Sequence, residues 1–164
     1  MKNSTNESGL MLASWQIKKG MLVTAGNVKD GFNCMTATWG SIGFLWGKDV
    51  FTFFIRPQRC TLNFAEKNEL ITACFFDESE RSKEILAYCG SHSGKDVNKA
   101  KECSLTPISV SGGEAVVFAE AKNFLICRKL YATDIRAEDF ADKTLLENYK
   151  KGDFHRMFVC EIVK

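Results

Sequence analysis

The 164-residue sequence contains only two prolines and two histidines, and its apolar runs are all short. His92 and His155 are not spaced as a metal-binding pair, and no H-E-x-x-H, G-x-S-x-G or Walker A sequence occurs. No apolar run reaches the ~18 residues of a membrane span. Metal-dependent, serine-hydrolase and ATP-binding activities therefore have no support, and if the protein carries out chemistry, a cofactor must supply it.

The chain also lacks a dominant charge, with 22 Lys and Arg against 20 Asp and Glu. This balance argues against a nucleic-acid-binding protein, which would concentrate positive charge on one face. The seven cysteines are odd in number and form no C-x-x-C pair, so neither a disulfide framework nor a zinc site is indicated. We expect buried free thiols, and with a polar N-terminus that has no signal-peptide pattern, a cytoplasmic protein.

What the sequence does contain is a set of short, apolar, β-prone segments, which predict six or seven strands with short helices between them. No alternation of strands with long helices occurs, so we expect a mainly β fold in which the strands close into a small antiparallel barrel. Residues 1–12 are expected to form a flexible leader and residues 13–164 a single domain. The predicted strands are 21–26, 32–39, 50–55, 70–76, 115–121, 123–131 and 157–163. The segments 115–121 and 123–131 are either two strands or one long bent strand.

Three local features complete this prediction. Residues 40–48 are expected to be a glycine-rich connection whose Phe44 and Trp46, with Trp39, stack on a flat ligand or dock on a partner chain. Thr61 is expected to cap a short helix, and Asp77 a longer one. Cys74 and Cys127 lie within apolar segments, where burial is expected to raise the thiol pKa and make them inert.

A candidate binding site spans two segments, the strand end at residues 33–39 and the turn at 56–61. In the second segment Arg56 and Arg59 lie beside Thr61 at a predicted helix start, where guanidinium groups, a hydroxyl and free backbone amides suit a phosphate. The alternative is that these arginines form surface ion pairs, and that Thr36 and Thr38 reflect only β-propensity.

A second candidate anion-binding loop contains Ser91, Ser93, Gly94 and Lys95 and precedes a predicted helix. The alternative is a solvated turn. This loop joins the first site from another part of the chain or from across a dimer.

The ordered motifs resemble the flavin-reductase-like, FMN-binding split-barrel family, which includes the flavoredoxin group. They extend over nearly the whole chain and are Asn33-x-Met35-Thr36-x-Thr38-Trp39, Arg56-Pro57-x-Arg59-x-Thr61, Ser93-Gly94-Lys95-Asp96-Val97-x-Lys99, and Gly152-Asp153-x-His155 followed by residues 158–161. The resemblance implies a homodimer of Greek-key split barrels with FMN at or near the dimer interface. It also implies hydride transfer from NAD(P)H to FMN and then electron transfer to a small-molecule or protein acceptor, with the flavin and no side chain carrying the chemistry.

By the same resemblance, the FMN-binding residues are Asn33, Met35, Thr36, Ala37, Thr38, Trp39, Arg56, Arg59, Thr61, Ser91, Ser93, Gly94 and Lys95. His155 is either a substrate-side residue or an ordinary histidine at a strand start, because one residue separates it from Asp153 and Cys160 replaces the family's glycine. Two other functions stay open: a flavoredoxin-type electron carrier serving a protein partner, and a small-barrel binding module without a cofactor.

Overall fold

A computed structural model describes residues 14–164, with side chains from residue 16 onward, so the predicted leader at residues 1–12 lies outside the described part. The helices are α1 (Ser14–Lys19), α2 (Cys60–Lys67), α3 (Glu80–Ser91) and α4 (Lys99–Glu102), with 3-10 turns at Ser111–Gly113, Ala137–Asp139 and Lys143–Tyr149. The strands are β1 (Met21–Asn27), β2 (Gly31–Ala37), β3 (Gly40–Leu45), β4 (Lys48–Ile55), β5 (Leu70–Phe75), β6 (Pro107–Val110), β7 (Ala115–Phe118), β8 (Asn123–Asp134) and β9 (Arg156–Ile162).

Seven strands form one antiparallel sheet in the order β2-β1-β5-β8-β9-β4-β3, and β6 pairs with β7 in a separate hairpin. The edge strands β2 and β3 are joined by Thr38 and Trp39 alone, so the sheet must curl until its two edges meet at that end. Within residues 14–164 no ladder joins β2 to β3. The result is a barrel with an open seam.

The prediction that residues 40–48 form a connecting loop is wrong, because residues 40–45 are β3. Every residue of β3 pairs with β4, from Gly40 opposite Phe53 to Leu45 opposite Lys48. Trp46 and Gly47 make the tight turn between the strands with positive φ values of 54° and 72°, as the two-residue hairpin turn requires. The short strand β6 was also missed, and the segment over residues 115–131 is two strands, β7 and β8.

The core lies on both faces of the sheet. Inside the barrel, Phe51, Phe53 and Phe158 are fully buried, and each phenylalanine contributes about 1.5–3 kcal/mol through burial. On the outer face, Leu22, Cys34 and Cys74 pack under α3 and the β6–β7 hairpin. Along β2, alternate side chains therefore face opposite layers.

Both predicted helix caps are wrong in position. Helix α2 has Arg59 at its N-cap, with no side-chain cap bond, and Thr61 lies inside the helix. Helix α3 is capped by Ser79, whose hydroxyl accepts from the backbone N–H of Ser82. Asp77 instead accepts hydrogen bonds from Ser79 and Ser82, which lower its pKa to about 2.

The seven cysteines are free thiols, as predicted, and all except Cys60 are buried. Burial raises the pKa of Cys74 to about 12 and that of Cys127 well above its usual range. Over residues 14–164, no three His, Cys, Asp or Glu side chains come together in a way that could hold a metal ion. The helices of this part of the chain are all too short or too polar to cross a membrane.

Candidate functional site

A cavity of about 220 Å³ lies at the seam of the barrel, where β2 ends. Strand pairing explains the convergence, because Ile55 at the end of β4 lies opposite Arg156 at the start of β9, and β2 approaches from the other edge. The lining residues are Met35, Thr36, Ala37, Thr38, Trp39, Phe54, Arg56, Arg59 and His155. The structure thus brings the two predicted segments and His155 to one place.

The two arginines of the cavity differ in their partners. Arg56 forms an ion pair with Asp153 at 2.6 Å and donates to the carbonyl of Asn148 at 3.1 Å. Arg59 donates to the carbonyl of Gly90 at 2.5 Å, and no carboxylate of the described residues lies within ion-pair distance of it. Arg59 is therefore the cation with charge left for an anionic ligand.

Asn33 links Thr61 to Gly94 close to this cavity. Asn33 Nδ2 donates to Thr61 Oγ1 at 2.8 Å, and Thr61 is fully buried. Gly94 lies so close to Asn33 that a Cβ at this glycine would be 1.9 Å from Asn33 Oδ1. The loop after α3 and the first turn of α2 therefore both contact Asn33 within a single chain.

The other polar groups of the predicted second loop are only partly directed at this site. Ser91 Oγ donates to the carbonyl of Ala87 at 2.8 Å, and Ser93 Oγ accepts from the backbone N–H of Lys95 at 3.2 Å. Gly94 and Lys95 line a separate cavity of about 510 Å³, which also touches Asn33. The structure thus places this loop beside the Arg59 cavity, with Asn33 between the two.

Strand β2 contributes backbone rather than side chains to the cavity. Met35 and Ala37 are buried in the barrel interior, and the hydroxyl of Thr36 donates to the carbonyl of Leu86 on α3 at 2.6 Å. Because β2 is an edge strand, its outer edge presents backbone N–H and C=O groups that have no partner strand. A ligand in the cavity can use these groups.

His155 is buried among aromatic rings at the floor of the cavity. Its ring centroid lies 5.0 Å from that of Trp39, and its Nδ1 is 2.9 Å from the Tyr149 hydroxyl. Burial, with the positive charge of Arg56 as a second cause, lowers the pKa of His155 to about 4. The imidazole is therefore neutral at physiological pH.

A larger, mostly apolar cavity of about 620 Å³ shares a wall with the first one. Thr38, Trp39 and Phe54 belong to both cavities, and Trp39 is 42% exposed. The remaining lining residues are Ile17, Lys18, Gly40, Ile135 and Tyr149. Trp39 therefore offers a flat, accessible ring next to Arg59 and His155.

The expected stacking group of three aromatic residues is split by the fold. Trp39 lies at the cavity, whereas Phe44 and Trp46 are 73% and 58% exposed near the far end of β3. At about 3.3 Å per strand residue, Phe44 is roughly 16 Å from Trp39 along the chain. Phe44 and Trp46 therefore lie too far from Trp39 to stack with it on a ligand in this cavity within one chain.

Tyr149 and Lys99 support the site through contacts that the sequence did not indicate. Tyr149 contacts both His155 and the Arg56 guanidinium, which lies 5.2 Å from its ring centroid. Lys99 is buried, and its Nζ donates to the carbonyls of Cys34 and Cys89 at 2.9 Å each, tying β2 to the end of α3. Neither residue has a sequence pattern that reveals these contacts.

No protein-family model and no curated protein sequence matches the chain. Among solved structures, it is similar to the flavoredoxin of Desulfovibrio vulgaris (Miyazaki F), with a TM-score of 0.67 and 17% identity over 88% of this chain and 67% of that one. An FMN-binding protein from Thermus thermophilus with bound 1-cyclohex-2-enone gives 0.65 and 21%, over 88% and 68%. The FMN-binding domain of a flavin reductases-like enzyme from Shewanella baltica gives 0.64 and 15%, over 92% and 70%.

These similarities confirm the predicted fold, a mainly β split barrel with short helices, as the fold that FMN-binding proteins of this kind adopt. The chain covers between 67% and 70% of the length of the three structures. At this level of identity the similarity extends to the fold, and activity has to be argued from the site itself.

Proposed function

We propose that the protein is an FMN-binding oxidoreductase of the flavin-reductase type, acting in the cytoplasm with NAD(P)H as electron donor. The observation that carries this proposal is the cavity at the barrel seam. It combines an arginine without a carboxylate partner, Arg59, with the accessible ring of Trp39 and the unpaired edge of β2. An anion-binding end, a polar backbone and a flat apolar end match the phosphate, ribityl chain and ring of FMN.

The residues divide into those that would contact FMN and those that would hold the contacts in place. Arg59 suits the phosphate, Thr38 and the β2 edge suit the ribityl chain, and Trp39 lies where the ring system would pack. Asn33, Thr61 and Gly94 fix the walls, and Arg56 is held by Asp153. Ser91, Ser93 and Lys95 lie on the neighbouring loop and would have to turn from their present contacts to reach the phosphate. When bound, FMN would accept hydride from the nicotinamide and pass electrons to an acceptor.

The protein's own groups bind and exclude water rather than transfer protons. Trp39 and Phe54 give the cavity apolar walls, which strengthen polar contacts made inside it. The buried Cys74, with its pKa raised to about 12, is not a nucleophile at neutral pH. We therefore assign no catalytic acid or base, and His155 faces the substrate side as a neutral group.

The visible spectrum of the purified protein, before and after FMN is added, tests the proposal. A flavin spectrum with saturable binding is expected, together with quenching of Trp39 fluorescence that is lost in Trp39→Phe. A colourless protein that fails to take up FMN would contradict both flavin functions and favour the cofactor-free binding module.

Anaerobic mixing with NADH and NADPH then separates the reductase from the electron carrier. Bleaching of the flavin within minutes is expected for the reductase. Bound flavin that stays oxidised with both nucleotides would favour an electron carrier that serves a protein partner.

The edge strand β3 supports the further proposal of a homodimer. Phe44, Leu45 and Trp46 are exposed on β3 and its turn, and Trp46 lies against the exposed ring of Tyr131, with centroids 6.2 Å apart. An apolar patch on an edge strand is typical of an interface. Sedimentation of the wild type and of Phe44→Asp tests this, and a monomeric wild type at micromolar concentration would contradict it.

A further inference from the structure

We infer that Tyr149 is a positioning residue that keeps the proton of the His155 imidazole on Nε2 and directs this N–H into the cavity at the barrel seam. The position of the proton follows from the chain's own contacts. The use of the Nε2–H group, as a hydrogen-bond donor to a carbonyl or ring nitrogen of a bound flavin ring, rests on the proposed function.

The contacts of the imidazole leave one nitrogen for the cavity. Nδ1 of His155 is 2.9 Å from the Tyr149 hydroxyl. Nε2 has no hydrogen-bond partner among the residues that the structure describes. It is also not one of the fully buried polar atoms of these residues that lack a partner, so it is accessible. Since His155 lines the small cavity, Nε2 reaches it.

The direction of the Tyr149–His155 hydrogen bond follows from donor satisfaction. If Nδ1 carried the proton and donated to the phenol oxygen, the phenol O–H of the buried Tyr149 would have no acceptor among the described residues. A buried donor without an acceptor costs about as much as a lost hydrogen bond, so the phenol donates to Nδ1 instead. The imidazole proton then sits on Nε2.

The aromatic packing around Tyr149 holds its hydroxyl in this position. The Phe154 ring stacks on the Tyr149 ring at a centroid distance of 4.6 Å, and the Phe140 ring lies 5.9 Å away. The Arg56 guanidinium lies 5.2 Å from the same ring centroid and packs against the ring as a cation–π contact. Tyr149 therefore has little freedom to turn its hydroxyl elsewhere.

The charges around His155 keep the imidazole in its neutral form. Arg56 and Arg59 oppose its protonation and Asp153 favours it, so two cations act against one carboxylate, in addition to the effect of burial. The Nε2–H group is thus a donor without charge, and its donor capacity does not change across the neutral pH range.

The tautomer is measured directly by long-range ¹H–¹⁵N NMR correlation on protein labelled at histidine, without flavin. His92→Gln assigns the second histidine signal. We expect the Nε2–H tautomer alone for His155, with no titration between pH 6 and 9, and a mixture of both tautomers in Tyr149→Phe. The Nδ1–H tautomer in the wild type, or an unchanged tautomer in Tyr149→Phe, would refute the inference.

Phe140→Leu is the matched control, because it alters the packing around Tyr149 but keeps the phenol. It is expected to retain the wild-type tautomer, and loss of that tautomer in Phe140→Leu would show that packing rather than the hydroxyl is responsible. The NMR result does not depend on whether the protein binds FMN, so it can fail or succeed independently of the proposed function.

The role toward the flavin ring is tested by binding. Because the Nε2–H group would contact the ring, Tyr149→Phe and His155→Phe are expected to weaken FMN and riboflavin by the same factor, roughly 2- to 13-fold, the range of one neutral hydrogen bond. Weakening of FMN alone, or no change for either ligand, would contradict this role while leaving the tautomer assignment intact.

Discussion

Replacing Arg59 by alanine is the most direct test of the site, because this side chain is the cation without a carboxylate partner at the cavity. A charge-assisted hydrogen bond contributes about 1.5–3 kcal/mol, so losing one such contact to the FMN phosphate is expected to weaken FMN by roughly 10- to 150-fold. Riboflavin has the same ring and ribityl chain but no phosphate. Its affinity is expected to change by less than about 3-fold, the part that comes from losing the Arg59 contact with the Gly90 carbonyl.

The assay is fluorescence titration of the purified protein with FMN and with riboflavin, at low and at high salt. In the wild type, salt should weaken FMN more than riboflavin, and this difference should shrink in Arg59→Ala because the phosphate contact is gone. Arg56→Ala is the informative comparison. Since Arg56 is paired with Asp153 at 2.6 Å, its removal should reduce FMN and riboflavin affinity more evenly.

Arg136→Ala serves as the control for loss of one positive charge, since Arg136 is exposed and pairs locally with Asp139. Equal weakening of FMN and riboflavin by Arg59→Ala would refute the phosphate assignment. A larger FMN-specific effect in Arg56→Ala than in Arg59→Ala would show that the ion pair of Arg56 with Asp153 opens to admit the phosphate. That result would contradict the assignment of the phosphate to Arg59, which is based on its lack of a carboxylate partner.

Three further predictions concern the supports of the site. In urea unfolding, Gly94→Ala should destabilise the fold by about 1–3 kcal/mol, because the alanine Cβ would displace the Asn33 amide from Thr61. This loss of stability should be smaller in an Asn33→Ala background. Additive effects of the two substitutions would contradict the prediction. Lys99→Met should lower the free energy of unfolding by about 1–3 kcal/mol, because two buried carbonyls lose their donor. Lys101→Met, at an exposed position, should be neutral. Equal effects of the two substitutions would argue against the tie that Lys99 makes between β2 and α3. Because folding lowers the pKa of His155 from 6.5 to about 4, the unfolded chain takes up this proton first, and the stability of the fold should fall as the pH drops from 6.5 to 4. His155→Gln should lose this part of the pH dependence. Identical pH profiles of thermal unfolding for the wild type and His155→Gln would refute the prediction.

The parts of the fold that could be predicted are those where composition alone decides the conformation. The runs at residues 50–55 and 70–75 are rich in aromatic and β-branched residues and form β4 and β5, buried in the sheet. Strand β3 could not be predicted because Gly40 and Gly43 weaken its local β-propensity, and only its pairing with β4 makes it a strand. Tertiary pairing therefore overrode the local signal.

The location of the site could be predicted from the sequence, but the different roles of its residues could not. The sequence placed Arg56 and Arg59 together beside Thr61, and the structure brings both arginines to one cavity. Their difference depends on Asp153, almost a hundred positions further along the chain, and on the carbonyl of Gly90. Tyr149 acquires its contact with His155 through the turn before β9, for which the sequence has no periodic pattern.

The two-residue link between β2 and β3 also determines how the barrel can move. From Ala37 to Gly40 an extended chain spans at most about 11 Å, so the two sheet edges cannot separate at this end, whereas Gly31 and Leu45 at the opposite ends have no covalent link. Fluctuations of the seam should therefore resemble a hinge that is closed beside Trp39 and widest at the β1–β2 turn. Amide hydrogen exchange along β2 should accordingly become faster from Ala37 toward Gly31, and Trp39 should report the closed end of this motion.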